Sequence, residues 1–140
     1  LRELERTAAA VNAAHPGCLP AIDLRVRDDF PSSVAAYRHY DVLLVNPVMD
    51  GLNLVAMEGP AVNERDGVVV LSRDAGAWDL LSQWALGIDP LDVESTAAAL
   101  EAALALPAAE RAGRARGLRS RVRSQEPGAW VASELAALLG

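Results

Sequence analysis

"DVLLVNPVMDGLNLVAMEGPAVN", Asp41 to Asn63, decides how this chain is read. Its opening "DVLLVNP" (Asp41–Pro47) is a continuous apolar run closed by proline, the pattern of a strand covered on both faces in a parallel sheet. The run breaks at Asp50-Gly51 and resumes, which predicts a loop and then a helix. Glu58 falls inside the resumed apolar stretch and reads as a buried-looking acid on an apolar helix face. Gly59-Pro60 follows at once, so the helix there is expected to be short or kinked.

Helix and strand patterns alternate outward from this segment. Upstream, "LRELERTAAAVNAA" (Leu1–Ala14) places Leu4, Ala8, Val11 and Ala14 on one helical face, and His15-Pro16-Gly17 ends it. "AIDLRV" (Ala21–Val26) alternates apolar and polar residues and reads as a strand, and "FPSSVAAYRHY" as a short helix with Pro31 near its start. Downstream, "GVVVLS" (Gly67–Ser72) is a second apolar strand, "DAGAWDLLSQW" a short helix and "ALGID" (Ala85–Asp89) a weaker third strand. A long helix is expected from about Asp92 to Leu106, opened by capping acids and closed by Pro107. A further helix follows from Pro107, interrupted near Pro127-Gly128, with a last helix over Ala129–Leu139. Several βα units with buried strands imply an α/β protein, a Rossmann-like parallel sheet with flanking helices and right-handed connections.

At 140 residues the chain suits one domain, with residues 1–140 as a single, partial unit. A net charge of -6 argues against nucleic acid or an anionic membrane as partner. The single cysteine, Cys18, excludes a disulfide framework and multi-thiolate zinc motifs, which fits a reducing cytoplasm. No apolar run approaches the roughly 20 residues that span a bilayer, and the N-terminus lacks the pattern of a signal peptide. The chain opens Leu1-Arg2-Glu3 without methionine, already in helical pattern, so a fragment is expected.

Ligands of open parallel sheets bind beyond the C-terminal strand ends, where helix N-termini present free N–H groups. The residues after "DVLLV" stand at such a place. Gly51 would permit a backbone conformation closed to other residues and let a ligand approach, so that Leu52, Asn53, Leu54 and Val55 could offer amides at a positive helix end suited to a diphosphate. The plain alternative is a turn in which Asp50 caps the helix and Glu58 is solvated. A hydrolytic carboxylate pair fits less well, since eight helical residues at about 1.5 Å each would separate Asp50 and Glu58 by roughly 12 Å, beyond the roughly 5 to 9.5 Å such pairs need.

The same stretch, followed by "GVVVLSRDAGAWDLL", closely resembles the C-terminal, nucleotide-sugar-binding half of the trehalose-6-phosphate synthase family of retaining glycosyltransferases. That family carries Asp-Gly-Met-Asn-Leu-Val, two residues and Glu, then Leu-Ser-x-x-x-Gly-Ala, matched here by Leu71-Ser72 and Gly76-Ala77. The resemblance implies the C-terminal, donor-binding domain of a GT-B fold and transfer of glucose from a UDP- or GDP-sugar to glucose 6-phosphate with retention. It implies that Asp50, the catalytic candidate, contacts donor hydroxyls, that Gly51, Leu52 and Asn53 shape the turn, and that amides from Asn53 to Val55 hold phosphate or sugar oxygens. Glu58 would accept from the ribose hydroxyls. No metal or other cofactor is demanded, the nucleotide sugar being a substrate.

Departures accompany the match. Leu52 replaces the usual Met, a volume-conserving change, and Met57 stands where Lys is common. The resemblance places the basic residues that grip the diphosphate, and the N-terminal domain that binds the sugar-phosphate acceptor, upstream of Leu1. The helix over about residues 129–140 would cross to that domain, with Trp130 at the junction. Another phosphorylated acceptor, such as glycerol 3-phosphate or a cyclitol phosphate, stays open, as do a non-catalytic nucleotide-binding module and a homo-oligomer.

The remaining chemistry-bearing residues read plainly. His15 and His39 have no ligand spaced to match and read as structural or surface residues. Cys18 lacks an activating partner. Arg111, Arg114, Arg116, Arg119, Arg121 and Arg123 spread around a helix without aromatic interleaving, the pattern of a solvated face or interdomain contact. Trp78 and Trp84 read as packing residues.

Overall fold

A computed structural model describes residues 1–125, 128 and 135–137. The elements run α1 (Arg2–Ala14), α2 (Phe30–His39), β1 (Val42–Val45), α3 (Leu54–Val62), β2 (Val68–Ser72), α4 (Ala77–Leu81), β3 (Leu86–Ile88), α5 (Val93–Ala105) and α6 (Ala108–Arg123). They fall into two compact units, Leu1–Phe30 and Pro31–Gly140. The expected last helix over 129–139, with Trp130, lies outside the described residues.

The first unit holds α1 and an extended tail. Glu3 and Glu5 stand in the first turn of α1, where the helix dipole favours acids. The strand expected over Ala21–Val26 is absent. Alternation alone makes no strand, because each backbone needs a neighbouring ladder. Here Ile22 is tied instead to one side chain: its N–H donates to Asn12 Oδ1 at 2.7 Å, and Asn12 Nδ2 donates to its carbonyl at 2.9 Å. Ile22, Leu24 and Val26 are all exposed.

The second unit is a three-layer α/β arrangement. Its sheet has the order β1-β2-β3, every pair parallel, with Val42 opposite Val68 and Val70 opposite Leu86. All five residues of β2 are buried, as its unbroken apolar run predicts for a central strand. Side chains alternate between two cores. Val69 and Leu71 join Val45, Ala56, Ala77, Leu81 and Leu118 beneath α3, α4 and α6, while Val68, Val70 and Ile88 join Ala103 beneath α5. The chain therefore changes face after β3.

β1 departs from expectation in one respect. It is the edge of the described sheet, and Leu44 remains 40% exposed rather than covered on both faces.

Helix boundaries follow local chemistry. Asp92 caps α5 by accepting the Ser95 N–H at 2.9 Å, and Leu106-Pro107 ends it. α3 is short, at nine residues, yet it continues past Gly59-Pro60 to Val62. Gly59 lies against Leu43 and Tyr40, where a Cβ would push the Leu43 side chain aside.

Tryptophan packing is as expected. Trp84 covers Gly117 of α6 and Trp78 covers Gly87, each glycine leaving no room for a Cβ.

The arginine run of α6 corrects its sequence reading. Arg111 donates to Asp41 at 3.3 Å, Arg119 to Asp66 at 2.9 Å and to the Asn63 carbonyl at 3.1 Å, and Arg114 to Glu110 and the Trp84 carbonyl. Arg111 and Arg119 thus bind α6 to the loops before β1 and β2, and Arg114 binds it to the segment before β3, so these three do not form a solvated face. Arg111, with Asp41, Arg65, Asp66 and Ala108, borders a cleft of about 320 Å3 at the N-terminal strand ends, opposite the end that carries Asp50.

Candidate functional site

Beyond their C-terminal ends, β1 and β2 lead into two loops that remain sewn together. Asp50 pairs with Ala75 in an isolated parallel bridge. The Asp50 N–H donates to the Asp74 carbonyl at 3.4 Å, the Gly76 N–H to the Asp50 carbonyl at 3.0 Å and the Ala77 N–H to the Leu52 carbonyl at 3.0 Å. A Cβ on Gly76 would overlap the Gly51 carbonyl oxygen, so only glycine lets the loops approach this closely. On the second loop, the buried Ser72 Oγ accepts the Asp74 N–H at 3.1 Å, and the Arg73 guanidinium lies 5.6 Å from the centre of the Trp78 ring.

The half-buried Asp50 carboxylate is held from two directions. Oδ1 accepts the Leu52 N–H at 3.2 Å and Oδ2 accepts Asn53 Nδ2 at 3.0 Å. Asn53 in turn caps α3, its Oδ1 accepting the Ala56 N–H at 3.1 Å. Its backbone has φ 68°, a left-handed conformation that asparagine tolerates better than most residues.

This corrects the role expected of Gly51. Gly51 has no positive φ, and a Cβ there would meet open space. The special backbone conformation belongs to Asn53. The signal was present in the sequence, since asparagine is both a preferred N-cap and a left-handed residue.

Leu54 and Val55 open α3, and no carbonyl four residues earlier within the helix can accept their N–H groups. The Leu52 and Ala56 amides are already engaged, so the helix start offers a narrower set of donors than the sequence suggested. Exposed apolar side chains, Val48, Met49, Leu52 and Leu54, surround it.

Glu58 is the second correction. It is exposed rather than buried, because the covered stripe of α3 is Ala56, Gly59 and Pro60 and position 58 faces away from it. The Tyr37 phenol of α2 is pushed above its ordinary value, first by burial and then by the negative charge of Glu58. Met57, where the resemblance expects lysine, packs against the core beneath α3.

Asp50, Leu52, Asn53 and Ala56 thus form one hydrogen-bonded unit, with Leu54 and Val55 at its tip and Glu58 one turn further on. Sequence reasoning noted Gly76 only as part of a motif and missed that it sets the loop spacing. It also missed Asn63, whose Nδ2 donates to the Tyr37 and Tyr40 carbonyls and whose Oδ1 accepts from Arg65 and Gly67, locking the far end of α3. His15, His39 and Cys18 are exposed. Among the described residues no three His, Cys, Asp or Glu side chains gather as a metal site would require, and no helix is long and apolar enough to cross a membrane.

A parallel sheet with helices on both faces and a helix start at its C-terminal strand ends defines a Rossmann-like α/β protein. Residues 2–139 match the sequence pattern of Glycosyltransferase family 20, and the chain belongs to that family. The validamine 7-phosphate valienyltransferase of Streptomyces hygroscopicus subsp. jinggangensis is 37% identical over 108 residues, which are 77% of this chain and 22% of that protein. The trehalose-6-phosphate synthase of Klebsiella pneumoniae subsp. pneumoniae is 37% identical over 134 residues, 93% of this chain and 28% of that protein. The fold superposes with a TM-score of 0.86 and 31% identity on an α,α-trehalose-phosphate synthase (UDP-forming) from Burkholderia xenovorans, solved in complex with glucose-6-phosphate. That match covers 99% of this chain and 31% of that one, and the architecture is that of the GT-B trehalose-phosphate synthases. The chain therefore spans between about a fifth and a third of the length of the relatives it matches.

Proposed function

We propose that this chain is the donor-binding part of a retaining glycosyltransferase that transfers glucose from UDP- or GDP-glucose to glucose 6-phosphate. One observation carries the reading: Asp50, Asn53 and the start of α3 form a preorganised unit at the C-terminal ends of β1 and β2. Residues 1–140 all belong to that donor-binding part.

In this reading the Asp50 carboxylate accepts hydroxyls of the donor sugar. Both of its oxygens already accept one hydrogen bond, which fixes its orientation, and each retains a further lone pair. The open space beside Gly51 admits the sugar ring against the backbone. The Leu54 and Val55 amides, with Asn53 and Leu52 shaping the approach, meet the diphosphate. As the glycosidic bond breaks, negative charge grows on the departing nucleoside diphosphate, and N–H groups at the positive end of α3 stabilise it without rearranging. Glu58 accepts the ribose hydroxyls, and its exposure leaves it reachable by a ligand.

A second reading keeps this donor site and changes the acceptor to a cyclitol phosphate, supported by the relative named as a validamine 7-phosphate valienyltransferase. The test joins the chain to all of the Klebsiella pneumoniae relative that precedes the matched segment and supplies UDP- or GDP-glucose with either acceptor. Trehalose phosphate formed from glucose 6-phosphate supports the first reading. Transfer to the cyclitol phosphate alone supports the second, and donor binding without transfer to any acceptor points to a non-catalytic nucleotide-binding module.

A further inference from the structure

We infer that Asn53 is a positioning residue whose side-chain amide registers the Asp50 carboxylate against the start of α3, so that the sugar contact and the phosphate contact are set as one rigid unit. This rests on the donor-binding reading above for its consequence, but the clasp itself is a property of the chain.

The geometry asks for an amide. Nδ2 donates to Asp50 Oδ2 at 3.0 Å while Oδ1 accepts the Ala56 N–H at 3.1 Å, so one planar group must be donor on one side and acceptor on the other. The backbone at φ 68° and ψ 96° aims the amide between these partners. Aspartate at this position could still cap α3 and tolerate the conformation, yet it would present acceptors to Asp50 and place two carboxylates together. Glycine would allow the conformation and supply neither bond. Asp50 is held on its other oxygen by the Leu52 N–H at 3.2 Å, and its backbone by Gly76 and Asp74, so Asn53 supplies the one side-chain bond that decides where Oδ2 points. A nucleotide sugar touches the helix start through phosphate and the carboxylate through hydroxyls. A fixed distance between the two favours the intact donor over the nucleotide alone.

The experiment uses the joined protein, with thermal unfolding read without ligand and binding read with UDP and UDP-glucose. Asn53→Asp should lower the melting temperature and reduce the preference for UDP-glucose over UDP about tenfold. Combining Asp50→Asn with Asn53→Asp exchanges donor and acceptor, because the new amide can donate to the new carboxylate, which can still cap Ala56. That double substitution should restore the melting temperature while the preference for the sugar stays lost. A swap no more stable than Asn53→Asp alone, or an Asn53→Asp protein as stable and as selective as the parent, would overturn the inference. If the parent binds neither ligand, the donor-binding reading fails, and recovery of stability in the swap still decides the clasp.

Discussion

The Gly76 N–H donates to the Asp50 carbonyl at 3.0 Å, and Gly76 itself lies so close to the neighbouring Gly51 carbonyl that no side chain fits between the loops. Two loops leaving adjacent strands are thereby held at one backbone-to-backbone spacing. The candidate sugar contact and the start of α3 both depend on that spacing.

Gly76→Ala should therefore destabilise the chain by about 2–3 kcal/mol, since a Cβ against backbone forces the loops apart. Gly51→Ala, whose Cβ enters open space at an ordinary φ, should change stability by less than about 1 kcal/mol yet weaken UDP-glucose binding in the joined protein. Urea unfolding and titration of both variants separate the two effects. Equal stability of the two would contradict the close approach at Gly76.

Leu71 lies fully buried in the middle strand, beneath α3, α4 and α6. Leu71→Ala should cost about 3 kcal/mol, the usual range for a leucine whose cavity cannot collapse against a rigid sheet. A loss below about 1 kcal/mol in urea denaturation would contradict the two-core packing.

Arg119 joins α6 to Asp66 at 2.9 Å and to the Asn63 carbonyl at 3.1 Å, with Asp66 44% exposed. Solvent screening keeps the ion pair weak, so Arg119→Ala should cost about 1 kcal/mol, mostly through the carbonyl left without its partner. Raising salt to about 1 M should shrink the difference only partly, because the carbonyl bond is not an ion pair. Chemical denaturation at two ionic strengths checks this.

Alkaline pH should weaken the second unit. Burial pushes the Tyr40 phenol well above its ordinary value, and burial with the Glu58 charge pushes Tyr37 up as well. A raised folded pKa gives stability that is fully present below the unfolded value, near about 10, and that falls as pH climbs above it. The urea midpoint should hold between pH 8 and 9 and drop by pH 11, and Tyr40→Phe should flatten that drop. An equal drop in the variant would contradict the assignment to Tyr40.

Much of this was legible in the sequence for physical reasons. The "VVVLS" run of β2 announces a strand sealed on both faces, and Asp92 before an alanine-rich stretch announces the start of α5. The alternation in "AIDLRV" misled because period-two patterning requires a ladder to act upon, and Asn12 satisfies the Ile22 backbone instead. Glu58 misled because α3 is apolar nearly all round, so its pattern cannot say which side is covered. The α6 arginines were unreadable as partners of Asp41, Asp66 and Trp84, since those contacts join residues 30 to 70 positions apart. At the candidate site, the order Asp50, Asn53, Glu58 was visible, whereas the exchange of roles between Gly51, Asn53 and Gly76 needed backbone angles and distances.

Under the proposed function, Asp50, the start of α3 and Glu58 receive a nucleotide sugar. Calorimetric titration of the joined protein with UDP-glucose, beside its Glu58→Ala variant, tests it most directly. Saturable binding is expected for the parent, with a loss of about tenfold in the variant, roughly 1.4 kcal/mol for the ribose hydrogen bonds. No binding of UDP- or GDP-glucose by the parent, or equal binding by parent and variant, would contradict it.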